Sequence, residues 1–173
     1  VPQTIACGKA KTPTKCKAMS SLLAVDIGLK TGLALYDRDG RLCWYRSHHF
    51  AKPASLRRAM RGWLDSLPHL VWLILEGGGP LAELWLQEAG RRHLAVRQIS
   101  AEAWRQQLLY AREQRRGAQA KQHATDLARR VIDWSQAPRP TSLRDDAAEA
   151  ILVGLWGVLE VGWLPQLPQV LRR

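Results

Sequence analysis

The sequence predicts an α/β domain built on a mixed five-stranded sheet, an antiparallel meander plus parallel strands, flanked by helices. Three observations predict it. Short apolar runs bounded by turn residues open the chain. Segments with helical spacing of apolar residues then alternate with such runs. Finally, helices alone fill the last third.

The elements follow in order. Residues 1–18 carry Lys9, Lys11, Lys15 and Lys17 among Gly, Pro and Thr without periodicity. They read as a flexible basic arm that touches nucleic acid weakly, or as sequence upstream of a start at Met19. Residues 19–164 read as the folded domain, and 165–173 as a short tail holding Pro165 and Pro168. Leu22–Ile27 is the first strand, Gly28 to Gly32 a turn, and Leu33–Tyr36 the second strand. Asp39-Gly40 marks a hairpin into a third strand, Arg41–Phe50. Pro53 opens a helix to Leu67 with Leu56, Met60, Trp63 and Leu64 on one face. Leu70–Glu76 is the fourth strand, and the strand-helix-strand crossover sets it parallel to the first. Gly77-Gly78-Gly79-Pro80 leads into a helix ending near Gly90, and Leu94–Ile99 is the fifth strand. Helices are expected over Ala101–Tyr110, Ala118–Trp134 and Leu143–Val161.

Composition bounds the function. At 173 residues and 46% hydrophobic content the chain suits one globular domain. The most apolar stretch, Ala147 to Leu164, is interrupted by Glu149 and Glu160, so no membrane span is expected. Residues 1–18 lack the apolar segment of a secretory signal. Cys7, Cys16 and Cys43 lack metal-site spacing and suggest a reduced, cytoplasmic chain. The net charge of +11 points to a polyanionic partner.

Against that basic background, four acids stand in apolar surroundings: Asp26, Glu76, Asp146 and Glu149. Asp26 ends the first strand on the face shared by Leu22 and Ala24, and Glu76 ends the fourth. Adjacent strands lie ~4.8 Å apart, so the two carboxylates can share one cation. Each also has an ordinary explanation: a turn cap for Asp26, a residue emerging into solvent for Glu76. Acids in the first turn of a helix commonly answer the macrodipole, which covers Asp145, Asp146 and Glu149. The flanking Ala147, Ala148 and Ala150 argue for more, because small residues let that turn sit against the sheet. Asp146 with Glu149, or Asp145 with Glu149, shares a helix face. Hard oxygen donors without a His/Cys set imply Mg²⁺ or Mn²⁺, and four carboxylates suit two ions ~3.5–4 Å apart. Lys121 sits where a basic loop feeds a helix and reads as a phosphate contact or a solvated lysine. Lys30, Arg112, Arg115 and Arg116 are candidate nucleic-acid contacts. Trp104 reads as core, and His48 and His49 as structural.

With those residues in place, the chain resembles the RuvC-type Holliday-junction resolvases of the RNase H-like superfamily, over about Ser20 to Gly157. Ala24-Val25-Asp26-Ile27-Gly28 with Thr31-Gly32 looks like the opening strand, Ile74-Leu75-Glu76 like the second acidic strand, and Asp146-Ala147-Ala148-Glu149-Ala150 like the closing helix. The segment around Trp104 and Lys121 is nearer to phage and chloroplast relatives, in which Asp145 is the alternative first acid of the closing pair. The resemblance implies catalytic acids at Asp26, Glu76, Asp146 and Glu149, with Lys121 assisting cleavage. It also implies a homodimer that nicks four-way DNA junctions in recombination or repair, in the cytoplasm of a bacterium or a phage host. Three rivals remain beside it. One is a RuvX/YqgF-like nuclease acting on RNA, although Thr31 stands where that family favours Arg. Another is a non-catalytic DNA-binding module on the same fold. The third, an actin-like ATPase, needs a second domain and a second phosphate loop, so no nucleotide cofactor is expected.

Overall fold

The structure, a computed structural model, describes residues 20–109 and 117–172. The chain runs β1 (Ser21–Asp26), β2 (Lys30–Asp37), β3 (Leu42–His49), α1 (Pro53–Asp65), β4 (Leu70–Glu76), α2 (Gly79–Arg91), β5 (Ala95–Ile99), α3 (Ala101–Leu108), α4 (Gly117–Ser135) and α5 (Asp145–Glu160). The strands form one sheet in the order β3-β2-β1-β4-β5. Strands β1, β2 and β3 are antiparallel neighbours, whereas β4 runs parallel to β1 and β5 parallel to β4. This is the predicted mixed five-stranded sheet. Among the described residues no helix is long and apolar enough to cross a membrane.

Strand β1 lies at the centre because both of its faces are apolar. Leu22 and Ala24 join Tyr36, Ile74, Trp104, Ile151 and Leu155 in a core beneath α3, α4 and α5. Leu23 and Val25 join Leu56, Met60, Leu73 and Trp85 in a second core beneath α1 and α2. The alternation of side chains along a strand therefore places Asp26 on the α5 side, with Leu22 and Ala24.

One boundary shift has consequences. Lys30, Thr31 and Gly32 were expected in a turn, but they belong to β2. The turn is shorter because the Thr31 hydroxyl donates to the Gly28 carbonyl at 2.5 Å and the Phe50 N–H donates to the Leu29 carbonyl at 2.7 Å. Gly32 then pairs with Asp26 on one side and Ser47 on the other. The chain end also differs from a free tail: Leu164 and Leu167 pack on the α5-side core, and Leu171 is 2% exposed within it. Of the three cysteines, Cys7 and Cys16 lie outside the described residues.

Small residues dock α5. A Cβ on Gly32 would lie 1.9 Å from the Asp146 carbonyl oxygen, one on Gly154 2.2 Å from the Tyr36 ring, and one on Gly157 2.7 Å from Ile74. The Tyr36 hydroxyl completes the contact by donating to the Ile151 carbonyl at 2.6 Å. On the opposite layer, Glu88 is buried and accepts hydrogen bonds from Arg61, Arg91 and Arg92, tying α2 to α1. Burial alone would raise the Glu88 pKa, but the arginine hydrogen bonds and charges outweigh it and hold the group below its ordinary range.

The Gly32 contact is with backbone, which cannot rotate away. Gly32→Ala should cost ~1–3 kcal/mol or more through overpacking. Each kcal/mol lowers Tm by roughly 2–4 °C at this size. Gly62, in the middle of α1 with nothing within 4 Å, is the control; its change to Ala should gain ~0.5–1 kcal/mol. Thermal melts followed by circular dichroism compare the two, and equal responses would show that α5 is not seated on Gly32.

Candidate active site

The parallel pairing of β1 and β4 brings Asp26 directly opposite Glu76 in register. Both lie at the carboxyl ends of their strands, the edge where open α/β sheets bind ligands. Two of the glycines after Glu76 adopt backbone that other residues avoid. Gly77 has φ +113° and Gly79 φ +74°, a region disfavoured for other residues, and a Cβ on Gly79 would meet nothing within 4 Å. The space is open at Gly79, three residues beyond Glu76.

Helix α5 supplies the third acid. Asp26, Glu76 and Glu149 each present one carboxylate oxygen, and these oxygens lie within 4.8 Å of one another. Glu76 is buried, and Asp26 and Glu149 are partly so. Burial, then the charges of Glu76, Glu149 and Asp146, push the Asp26 pKa up to about 8; Arg105 pulls weakly the other way. Glu76 is raised too, chiefly by burial, with the Trp104 hydrogen bond opposing. Like charges in a desolvated pocket resist ionising together.

The closing pair divides in an instructive way. Asp146 lies near enough to raise the Asp26 pKa, but its Oδ2 accepts a hydrogen bond from the Ser47 hydroxyl at 2.5 Å. It stands beside the three-carboxylate group and outside it. Asp145 points elsewhere: its side chain is 70% exposed and faces the Lys121 ammonium at 3.8 Å. Lys121, Thr125, Asp145, Ala148 and Glu149 line one small hollow, which puts Lys121 beside the acidic cluster. Lys30 is exposed at the start of β2, paired with His49 at the same sheet edge. Arg112, Arg115 and Arg116 lie outside the described residues. His48 lies on the α1 side, packed against Trp63 at 4.9 Å between ring centroids, with its Nε2 buried and unpartnered.

Three participants escaped the sequence reading. Trp104 is fully buried, as expected of a core residue, but its indole N–H donates to Glu76 Oε2 at 2.9 Å. Arg105 donates from Nη2 to Glu149 Oε1 at 3.1 Å and lies over the Trp104 ring, 5.0 Å from its centroid. Ser47 is the third, through Asp146. The available signal was positional: β5 pairs Ile99 with Glu76, so α3 begins at the edge where the acids sit.

No protein-family model and no curated protein matches the chain. Solved structures do. The chain is similar to the Fowlpox virus resolvase, determined in complex with its substrate Holliday junction DNA. The TM-score is 0.56 and the identity 18%, over 82% of this chain and 98% of that one. It also matches the large terminase nuclease of the thermophilic phage G20c with bound zinc, with TM-score 0.47 and 10% identity over 79% and 80% of the two chains. At such identities the first likeness is one of fold, and the fold is the RNase H-like mixed sheet that the sequence predicts.

Proposed function

We propose that this chain is a divalent-metal-dependent endonuclease that cleaves branched DNA, with the four-way junction as its substrate. The observation that carries the reading is the convergence of Asp26, Glu76 and Glu149 from two strands and a helix, within 4.8 Å of one another, in a chain of net charge +11. Carboxylates kept apart from bulk water and close together need a cation. The donor set fits one, being all oxygen with no His or Cys in the group among the described residues, which favours Mg²⁺ or Mn²⁺. The likeness in fold to a resolvase solved with Holliday junction DNA supports the choice of substrate.

In this reading Asp26, Glu76 and Glu149 hold the metal, and Asp146 joins them by turning from Ser47. Ions bound there supply an activated water and stabilise the leaving oxygen of a phosphodiester. The chain's own residues do the rest. Trp104 fixes one oxygen of Glu76 and so orients its carboxylate. Lys121 offers a positive charge at the rim, where a backbone phosphate can pair with it. Lys30 extends the phosphate contact, and Arg112, Arg115 and Arg116, outside the described residues, remain candidates for the same role. A homodimer would present two such sites to the two strands that a junction requires cut.

Asp26→Asn should abolish cleavage of junction DNA in Mg²⁺ while leaving folding and junction binding intact. Gel assays on junction, linear duplex and structured RNA of matched sequence, with and without Mg²⁺, test both halves. Preferred cutting of RNA would move the substrate, metal-independent cutting would remove the mechanism, and binding without any cutting would leave a DNA-binding module.

The closing helix gives a sharper contrast. Asp145 is exposed and points to Lys121, so Asp145→Asn should change the rate little. Glu149→Gln should be severe, and Asp146→Asn should cost at least ~10–100-fold, the usual effect of disturbing a ligand's surroundings. Rates for the three variants at saturating Mg²⁺ decide it. An inactive Asp145→Asn beside an active Asp146→Asn would exchange their roles.

The raised pKa of Asp26 fixes a pH dependence. Its neutral form is favoured in the folded, metal-free protein. That contribution is full below the ordinary carboxylate range and is lost as pH climbs toward about 8. Without metal, Tm should therefore fall from about pH 4 to about pH 8. Asp26→Asn should flatten the slope, and saturating Mg²⁺ should restore stability at the alkaline end, releasing a proton as it binds. Parallel slopes for wild type and Asp26→Asn would show that Asp26 is not the titrating group.

A further inference from the structure

Two adjacent residues of α3 hold two of the three clustered carboxylates, and they hold them differently. The Trp104 indole is a neutral donor with a single N–H, and it occupies one oxygen of Glu76 at 2.9 Å. Arg105 brings a full positive charge to Glu149 Oε1 at 3.1 Å. Its side chain is 36% exposed, that of Glu149 22%, so the pair stands at the mouth of the site. The guanidinium is stationed there by its seat on the Trp104 ring, and that ring is fully buried. Lys121, the other nearby cation, pairs with Asp145 outside the cluster.

We propose that Arg105 is the resident counter-cation of the acidic cluster, and that its guanidinium competes with a divalent ion for Glu149, setting how tightly the site holds metal. This rests on the metal-site reading above. The competition has two parts. A Glu149 oxygen engaged by a guanidinium is a weaker donor to a second cation. A positive charge at that range also repels an incoming one.

The test uses the full, metal-free chain and Mn²⁺ alone, with binding followed by isothermal titration and by the electron paramagnetic resonance signal of free Mn²⁺. No DNA and no turnover are involved. Arg105→Gln should bind Mn²⁺ at least roughly fivefold tighter, the lower end of energetic coupling between two sites. Arg105→Lys keeps the charge and should remain close to wild type. Arg105→Met keeps the aliphatic packing on Trp104 and serves as a second charge-free variant if the Gln form folds poorly. In a Glu149→Gln background the gain should shrink, because the charged oxygen in contest is gone and only the direct repulsion between Arg105 and the ion remains. Unchanged or weaker Mn²⁺ binding in both charge-free variants overturns the proposal while leaving the metal site standing. Absence of Mn²⁺ binding by the wild-type chain and by both charge-free variants overturns both.

Discussion

The seating of the first turn of α5 on β2 is the contact on which the rest of the site depends. At Gly32 the backbone of the helix comes so close to the strand that no side chain fits between them. That approach sets the height of Glu149 above Asp26 and Glu76, which a strand pairing alone cannot do. The same stripe of small residues continues along the helix at Ala150, Gly154 and Gly157, so the whole element lies flush on β1 and β2.

The second organising fact is how the protein tolerates buried acids. Two solutions appear in one molecule. Glu88 is surrounded by three arginines, and its charge is fully answered within the α1–α2 layer. Among the described residues, the cluster at the sheet edge meets one neutral donor, Trp104, and one partly exposed arginine, Arg105. The first arrangement is complete and ties two helices together. The second is less fully compensated, and that asymmetry is what the proposed metal site rests on.

Much of this was legible in the residues because it rests on periodicity. Alternation in Leu22–Asp26 put the carboxylate on the face of Leu22 and Ala24, and the crossover through α1 made β4 parallel, which aligned Glu76. Spacing also placed Asp146 and Glu149 on one helix face. It was silent on the Ser47 hydroxyl that draws Asp146 aside, because that contact joins residues from β3 and α5 and depends on the register of the sheet. The roles of Trp104 and Arg105 were hidden for the same reason. A tryptophan in an apolar neighbourhood reads as packing, and only the position of β5 beside β4 reveals that its N–H reaches Glu76. Thr31 was misread as turn because a hydroxyl-to-carbonyl bond tightened the chain by more than its composition suggested.

The three clustered acids come from segments far apart in the chain, and none of the contacts between them is local. Pairing β1 with β4 requires closure of a long loop, and seating α5 requires a longer one, so these contacts are expected late in folding. A chain still emerging from a ribosome, or one partly unfolded, has Asp26 without Glu149. The assembly of the cluster thus acts as a checkpoint on folding itself. Under the proposed function, cutting power would be withheld from every form of the polypeptide that lacks the assembled cluster, without any separate inhibitor.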